Sequence, residues 1–279
     1  MRDAVDFAKL TVAGLKAVAL ACGSPTTGNK AQVSNYMIQK LQQRPKGAVR
    51  LVSIDLGLKN IGVCQALATP GQQVEVEKWS LKSLPEHINY SQPNFAHEAR
   101  RLLHGVMMDS PNVVLVEKQR SRSAGSASVP NDILRVNVLE GMVHAILCTQ
   151  WPTIYVESVE PKHVLGYWRS QLERELGGTA LAVERLKKAT PAQVYNASKK
   201  ARLALVRKWI DKPQKAPFVF SPELELPTKR TKQDDLNDAL VQAVTWQIWR
   251  DNSKIALNTD QNLRELAKSW SVDAELLTG

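Results

Sequence analysis

Residues 50–81 carry three β-rich runs in close succession, and strands joined by such short turns point to an antiparallel meander. Parallel neighbours would need a crossover of roughly a dozen residues or more. The first run, Arg50-Leu-Val-Ser-Ile-Asp-Leu-Gly57, ends in a glycine turn. Residues 60–67 form the second, and residues 73–81 alternate Val74, Val76 and Trp79 against charged positions as the third. Beyond them the pattern changes to helix (95–108), short buried strand (112–117, NVVLVE), long helix (131–149) and fifth strand (153–159). A further helix over 231–250 lines up Leu236, Ala239, Leu240, Ala243, Val244 and Gln247 on one stripe. The order predicts an α/β domain: a mixed five-stranded sheet with helices on both faces.

Ahead of this domain, Leu10, Val12, Leu15, Val18, Ala19 and Cys22 recur at helical steps, residues 23–28 break the pattern, and Val33, Tyr36, Met37 and Leu41 resume it. The hairpin resembles the SAP module, a small helical DNA-binding unit, at Leu15, Gly23, Gly28 and Lys30. Free backbone N–H groups at the start of the second helix, beside Lys30, would suit a phosphate. The competing reading is a hairpin that only packs. Residues 42–49 read as a linker. The expected division is therefore a SAP-like segment (1–43), a main domain (50–251) and a C-terminal appendage (252–279). Within the main domain, residues 123–129 read as a flexible loop. The region 186–230 reads as a basic insertion, with nine basic residues and a single acid, Asp211, between positions 186 and 215.

Lys and Arg total 37 against 27 Asp and Glu, and a net charge of +10 favours a polyanionic partner, nucleic acid ahead of a membrane. No apolar run reaches the roughly 20 residues that span a bilayer, so no membrane partner is expected. Cys22, Cys64 and Cys148 are widely spaced among apolar neighbours and are expected to be reduced core residues. The opening residues lack secretory features and contain two Asp, so a targeting peptide is expected to be trimmed or never present. Five histidines without an HxxxH pair give no support to zinc or Ser/His/Asp chemistry, and no small-molecule cofactor is expected.

Asp55 closes one apolar strand and Glu117 another, each a position where a charge is costly without a partner. In Gln233-Asp-Asp-Leu-Asn-Asp238, Asp235 and Asp238 stand three apart, and Asp234 and Asp238 four apart, so either pair shares a helix face. Like charges so placed call for a cation between them. Carboxylates at strand ends and a helix start are what a two-Mg²⁺ phosphoryl-transfer site requires. Taken singly, Asp234 could be a helix cap, Glu117 a partner of Lys118 or Arg120, and Asp55 a turn cap. Taken together in a basic chain, they favour a nuclease-type metal site. Lys118, Arg120 and Arg122 alternate after Glu117, so in extended backbone they point to one side and suit phosphate contacts. Glu140 is expected to form a salt bridge.

The runs Ser53-Ile-Asp-Leu-Gly-Leu-Lys-Asn-Ile-Gly62, Leu115-Val-Glu-Lys-Gln-Arg-Ser-Arg122, Leu134-Arg-Val-Asn-Val-Leu-Glu140 and Gln233-Asp-Asp-Leu-Asn-Asp-Ala239 resemble the fungal mitochondrial Holliday junction resolvases. Those proteins have a ribonuclease H-like fold related to bacterial RuvC, preceded by a SAP-like segment. The resemblance implies that Asp55, Glu117, Asp235 and Asp238 are metal-binding carboxylates. Asp234 is an additional acid of the cluster that could replace Asp235. Pro161-Lys-His-Val164 resembles the basic step after the equivalent strand, or it simply starts a helix. Expected DNA contacts are Gly28, Lys30, Lys59, Lys118, Arg120, Arg122, Lys162, Lys199, Lys200 and Arg202.

The function so implied is a homodimeric endodeoxyribonuclease acting on four-way DNA junctions in mitochondria. It would use two Mg²⁺ ions per site, with Mn²⁺ as a possible substitute, and leave 5′-phosphate and 3′-hydroxyl ends. The rivals are another ribonuclease H-like nuclease acting on RNA–DNA hybrids, and a non-catalytic SAP-bearing DNA-binding protein.

Overall fold

The computed structural model describes residues 7–85, 90–119, 130–175, 191–224, 233–258 and 263–271. The expected loop at 123–129, with Arg120 and Arg122, lies outside them. The chain divides into two compact units: Gly47–Pro161 with Leu172–Val244, and Met1–Lys46 with Lys162–Gln171 and Thr245–Gly279. These bounds differ from the division at 43, 50 and 251 that the sequence suggests.

The first unit is built on one sheet. β1 (Val49–Asp55), β2 (Ile61–Ala68) and β3 (Val74–Lys82) form the antiparallel meander, and β4 (Val113–Glu117) and β5 (Tyr155–Val159) add in parallel beside β1. A sixth strand, β6 (Phe218–Phe220), pairs in parallel with β3, giving the order β5-β4-β1-β2-β3-β6. The sheet therefore has six strands, not five. Three residues are too few to display a period of two, so β6 is set by packing: Phe218 is buried, its ring 6.0 Å from Trp209, while Phe220 stacks 5.9 Å from Trp79. The β2–β3 register shifts between Gln65 and Ala66, which leaves Glu77 of β3 as the extra residue of a bulge.

Side chains alternate across the strands. Val52, Ile54, Val114 and Val116 join one core with helices α3 (Gln92–Met107) and α4 (Asn131–Gln150), through Phe95, Leu103, Leu139 and Val143. The next elements are α5 (Pro161–Glu175), α6 (Pro191–Asp211) and α7 (Gln233–Asn258). The start of α7 covers the other face of the sheet, where Trp79 Nε1 donates to the Leu236 carbonyl at 2.8 Å. Between 191 and 211 the stretch read as a basic insertion is α6, a helix packed through buried Ala201, Leu205, Val206 and Trp209. Of its basic residues Lys200, Arg207 and Lys208 are exposed, while Arg202 lies on the packed side.

In the second unit, α1 (Val12–Ala21), α2 (Lys30–Gln43) and α8 (Leu263–Ser271) share a core of Leu15, Val18, Cys22, Val33, Met37, Ala256 and Ala267. The tail read as an appendage is thus partly core. Arg44, assigned to the linker, is buried and donates to the Cys22 carbonyl at 2.7 Å. Gly23 has φ +64°, and a Cβ there would lie 2.1 Å from the Trp249 ring, so this glycine serves packing. At the start of α2 a capping box is closed: Gln32 N donates to Asn29 Oδ1 at 3.0 Å and Asn29 N to Gln32 Oε1 at 2.9 Å. These side chains occupy positions the SAP-like reading left to a phosphate. Of the cysteines, Cys22 and Cys64 are buried, whereas Cys148 is exposed on α4, a correction to the expectation of three core thiols.

Candidate active site

Asp55 ends β1, the strand between β4 and β2. Because β1 and β4 run parallel with Ile54 beside Val116, Asp55 and Glu117 follow one residue later at the same end of the sheet. Both turn away from the face that Ile54 and Val116 share with α3 and α4. Across the other ladder Asp55 stands opposite Gly62, and cross-strand partners point to one face. There α7 begins. A Cβ on Gly62 would sit 2.1 Å from the Asp235 carbonyl oxygen and 3.3 Å from Ala239 Cβ. The missing side chain is what lets the first turn of α7 close on the sheet and bring Asp235 and Asp238 to Asp55 and Glu117.

The four carboxylates feel one another. Burial, then the charges of Glu117, Asp238 and Asp235, hold the Asp55 carboxyl well above the usual carboxylate range, and Asp55 shares a side-chain hydrogen bond with Glu117. Two carboxylates so joined need a proton between them. Burial also raises Asp238, opposed by the cations Arg202 and Lys199 and reinforced by Asp235 and Asp234. Arg202 Nε lies 2.8 Å from Asp238 Oδ1, and Nη2 donates to Oδ2 at 3.1 Å. Lys199 forms an ion pair with Asp234.

Among the described residues no three acidic, His or Cys side chains are already closed around one point as a metal would hold them. Side-chain cations lie against two of the acids instead, Arg202 on Asp238 and Lys199 on Asp234. The donor set still fits a hard divalent cation. It consists of carboxylate oxygens, and its most buried member is penalised by neighbouring negative charge that a dication would relieve. Asp55, Glu117, Asp235 and Asp238 would be the ligands. Asp234 is turned to Lys199.

The basic residues expected to meet DNA fall in different places. Lys59 is exposed in the β1–β2 loop at the carboxylate end of the sheet. Lys118 pairs with Glu160 at 2.6 Å, which pushes its pKa up. Glu140 accepts from the Gln119 amide at 3.0 Å and lies 3.9 Å from His144. Lys199 and Arg202, expected to face DNA, are turned onto acids, while Lys200 is exposed. Gly28, Lys30 and Lys162 belong to the other unit. The sequence reading missed Gly62 as the clearance under α7 and Arg202 as the partner of Asp238. The glycine beside a strand-ending acid was a visible signal for the first; the second needs the packing of α6 against α7.

A pH dependence follows. The Asp55 pKa is raised above its unfolded value of roughly 3.9. Its contribution to the stability of the metal-free protein is therefore complete below that value and is lost as pH rises through the folded pKa. A dication reverses the loss, so Mg²⁺ should raise Tm more at about pH 8 than at about pH 5. The gain at a hundred times Kd is about 2.7 kcal/mol. Thermal melts at both pH values check this; equal shifts would count against a metal at these acids.

A family model described as mitochondrial resolvase Ydc2 / RNA splicing MRS1 matches residues 51–230. The mitochondrial cruciform cutting endonuclease 1 of Schizosaccharomyces pombe is 28% identical over 230 residues, 74% of this chain and 80% of that protein. The crystal structure of the yeast mitochondrial Holliday junction resolvase Ydc2 superposes with a TM-score of 0.66 at 22% identity, over 93% of this chain and 99% of that one. The ribonuclease H-like fold is shared.

Proposed function

The chain belongs to the mitochondrial resolvase Ydc2 / RNA splicing MRS1 family, and from that premise we propose that it is a divalent-metal-dependent endonuclease that resolves four-way DNA junctions in mitochondria. The observation that carries this reading is the convergence of Asp55, Glu117, Asp235 and Asp238 at one end of the sheet, with Asp55 too buried to hold its charge unaided. The family name also covers RNA splicing; the acid cluster favours hydrolysis. Bound at these residues, two Mg²⁺ ions, or Mn²⁺ in their place, would ready a water for in-line attack and stabilise the departing 3′ oxygen. The protein's part is to fix the acids on strand ends and a helix start, which the close approach at Gly62 holds together. The exposed Lys59, at the same sheet end, is suited to a neighbouring phosphate.

Paired nicks need two sites, which a symmetric dimer supplies. The outer side of α4 supports one: Leu134, Val138, Gly141, Ala145 and Cys148 are all exposed and recur at steps of four and three. Leu134 is 52% exposed, and a Cβ on Gly141 would meet nothing. A second copy crossing antiparallel at Gly141 would set Leu134 against the partner's Cys148 and Val138 against the partner's Ala145. Replacing Leu134 and Val138 by Asp should give a folded monomer by sedimentation, with single nicks in place of paired ones. A double variant that keeps the mass of the parent would move the interface elsewhere.

The test of the function is a labelled junction, a plain duplex and an RNA–DNA hybrid, each with and without Mg²⁺. Symmetric cleavage of the junction alone is expected. Preferred cleavage of the hybrid would favour the other nuclease reading, and binding without cleavage the non-catalytic one.

A further inference from the structure

We infer that Arg202 and Lys199 are exchangeable counter-ions: they hold Asp238 and Asp234 while no metal is bound, and turn to substrate phosphate once divalent cations take the carboxylates. The inference rests on the reading of Asp238 as a metal ligand and extends it to the residues that compete with the metal.

Lys199 and Arg202 stand three apart on α6, and Asp234 and Asp238 four apart on α7, so each pair spans about one helical turn. Two cations thus meet two acids in matched spacing. Arg202 Nη2 donates to Asp238 Oδ2 at 3.1 Å, and Nε lies 2.8 Å from Oδ1 as an ion pair without hydrogen-bond alignment, so the guanidinium lies against both carboxylate oxygens through a single hydrogen bond. Those oxygens are the atoms that a hard cation must approach to about 2.1 Å, so the two contacts compete. The Arg202 side chain is 11% exposed and that of Asp238 20%, which limits screening by solvent.

Displacement would not carry the guanidinium far. α6 is anchored by Ala201, Leu205, Val206 and Trp209, so Arg202 stays within side-chain reach of the acids. Once dications neutralise the carboxylates, Arg202 and Lys199 become surplus positive charge. A phosphate is an anion that a guanidinium can grip through two parallel N–H groups. The two residues are therefore positioning residues for the metal-free acids and anion ligands in the loaded site.

The test is Mn²⁺ binding to the metal-stripped full chain without DNA, followed by electron paramagnetic resonance of the free ion. A site open for a tenth of the time shows an apparent affinity about tenfold weaker than its intrinsic one. Arg202→Gln should bind Mn²⁺ about tenfold more tightly than the parent, and Arg202→Lys should fall between. Unchanged or weaker binding by folded Arg202→Gln overturns the inference; if that variant does not fold, absence of tightening in Arg202→Lys does so. Asp55→Asn separates the two levels. Loss of Mn²⁺ binding in Asp55→Asn, with no tightening at 202, removes the counter-ion inference alone. Parental Mn²⁺ binding by Asp55→Asn removes the metal site itself. For the phosphate half, junction affinity is titrated against salt with Ca²⁺ present: the slope of log affinity against log salt should be shallower by roughly 0.9 in Arg202→Gln. Equal slopes overturn that half.

Discussion

Replacing Asp55 by Asn is expected to lower junction cleavage roughly a thousandfold or more, about 4 kcal/mol of barrier, while junction binding measured without divalent ions stays within about twofold of the parent. The variant keeps the shape of the side chain and removes the charge that a metal needs. It leaves the exposed cations untouched, and affinity for DNA comes mainly from those. Asp238→Asn should lose cleavage similarly. Asp55→Asn carries a second signature, because the parent's carboxyl is held above its usual range by burial and three neighbouring acids. A neutral amide escapes that penalty, so the metal-free variant should melt higher than the parent at about pH 8 while its Mg²⁺-dependent gain disappears. Near-parental cleavage with Mg²⁺, measured on a labelled junction, would remove Asp55 from the reaction.

Gly62→Val should damage stability and activity together. Any Cβ at 62 falls 2.1 Å from the Asp235 carbonyl oxygen, a backbone atom that cannot rotate aside. Either β2 or the first turn of α7 must move. Overpacking of this kind costs about 3 kcal/mol, which for a chain of this size is a fall in Tm of roughly 5 °C. A displacement of about 1 Å at the acids lowers the rate on the order of a hundredfold. Gly105→Ala in α3, where a Cβ meets nothing, is the control and should be neutral or slightly stabilising. Equal behaviour of the two variants would mean that α7 does not depend on this clearance.

The five strands of five residues or more were legible because alternation, short apolar runs and turn residues mark them locally. β6 was not: Phe218–Phe220 gains its partner, Val74–Val76, from about 140 residues away, and no local pattern announces that pairing. α6 was hidden by its charge, since nine basic residues between 186 and 215 drew attention from the buried series Ala201, Leu205, Val206 and Trp209. The acids could be read as a set because each ends an apolar strand or opens a helix. Their present partners could not, because Arg202 beside Asp238 is a product of tertiary packing. The start of α2 teaches a different lesson. Asn29 and Gln32 have capping-box spacing in the sequence, so the same few residues that resembled a phosphate site also carried the sign that the helix would satisfy itself.

The short reach of β6 leaves β3 only partly covered. Among the described residues its outer edge has a strand neighbour along Val74–Val76 and none from Glu77 to Lys82. Bare edges recruit other chains, and natural sheets blunt them with bulges and charge. Here the bulge falls at Glu77, where cover ends; Lys78 follows and is tied to Asp109 at 2.7 Å; and the strand finishes on exposed Lys82. A passing strand would find its register broken at the first step and a lysine at the last. The consequence is colloidal: neutralising Lys78 and Lys82 together would leave the fold standing but open an adhesive margin along which copies of the chain could stack into aggregates.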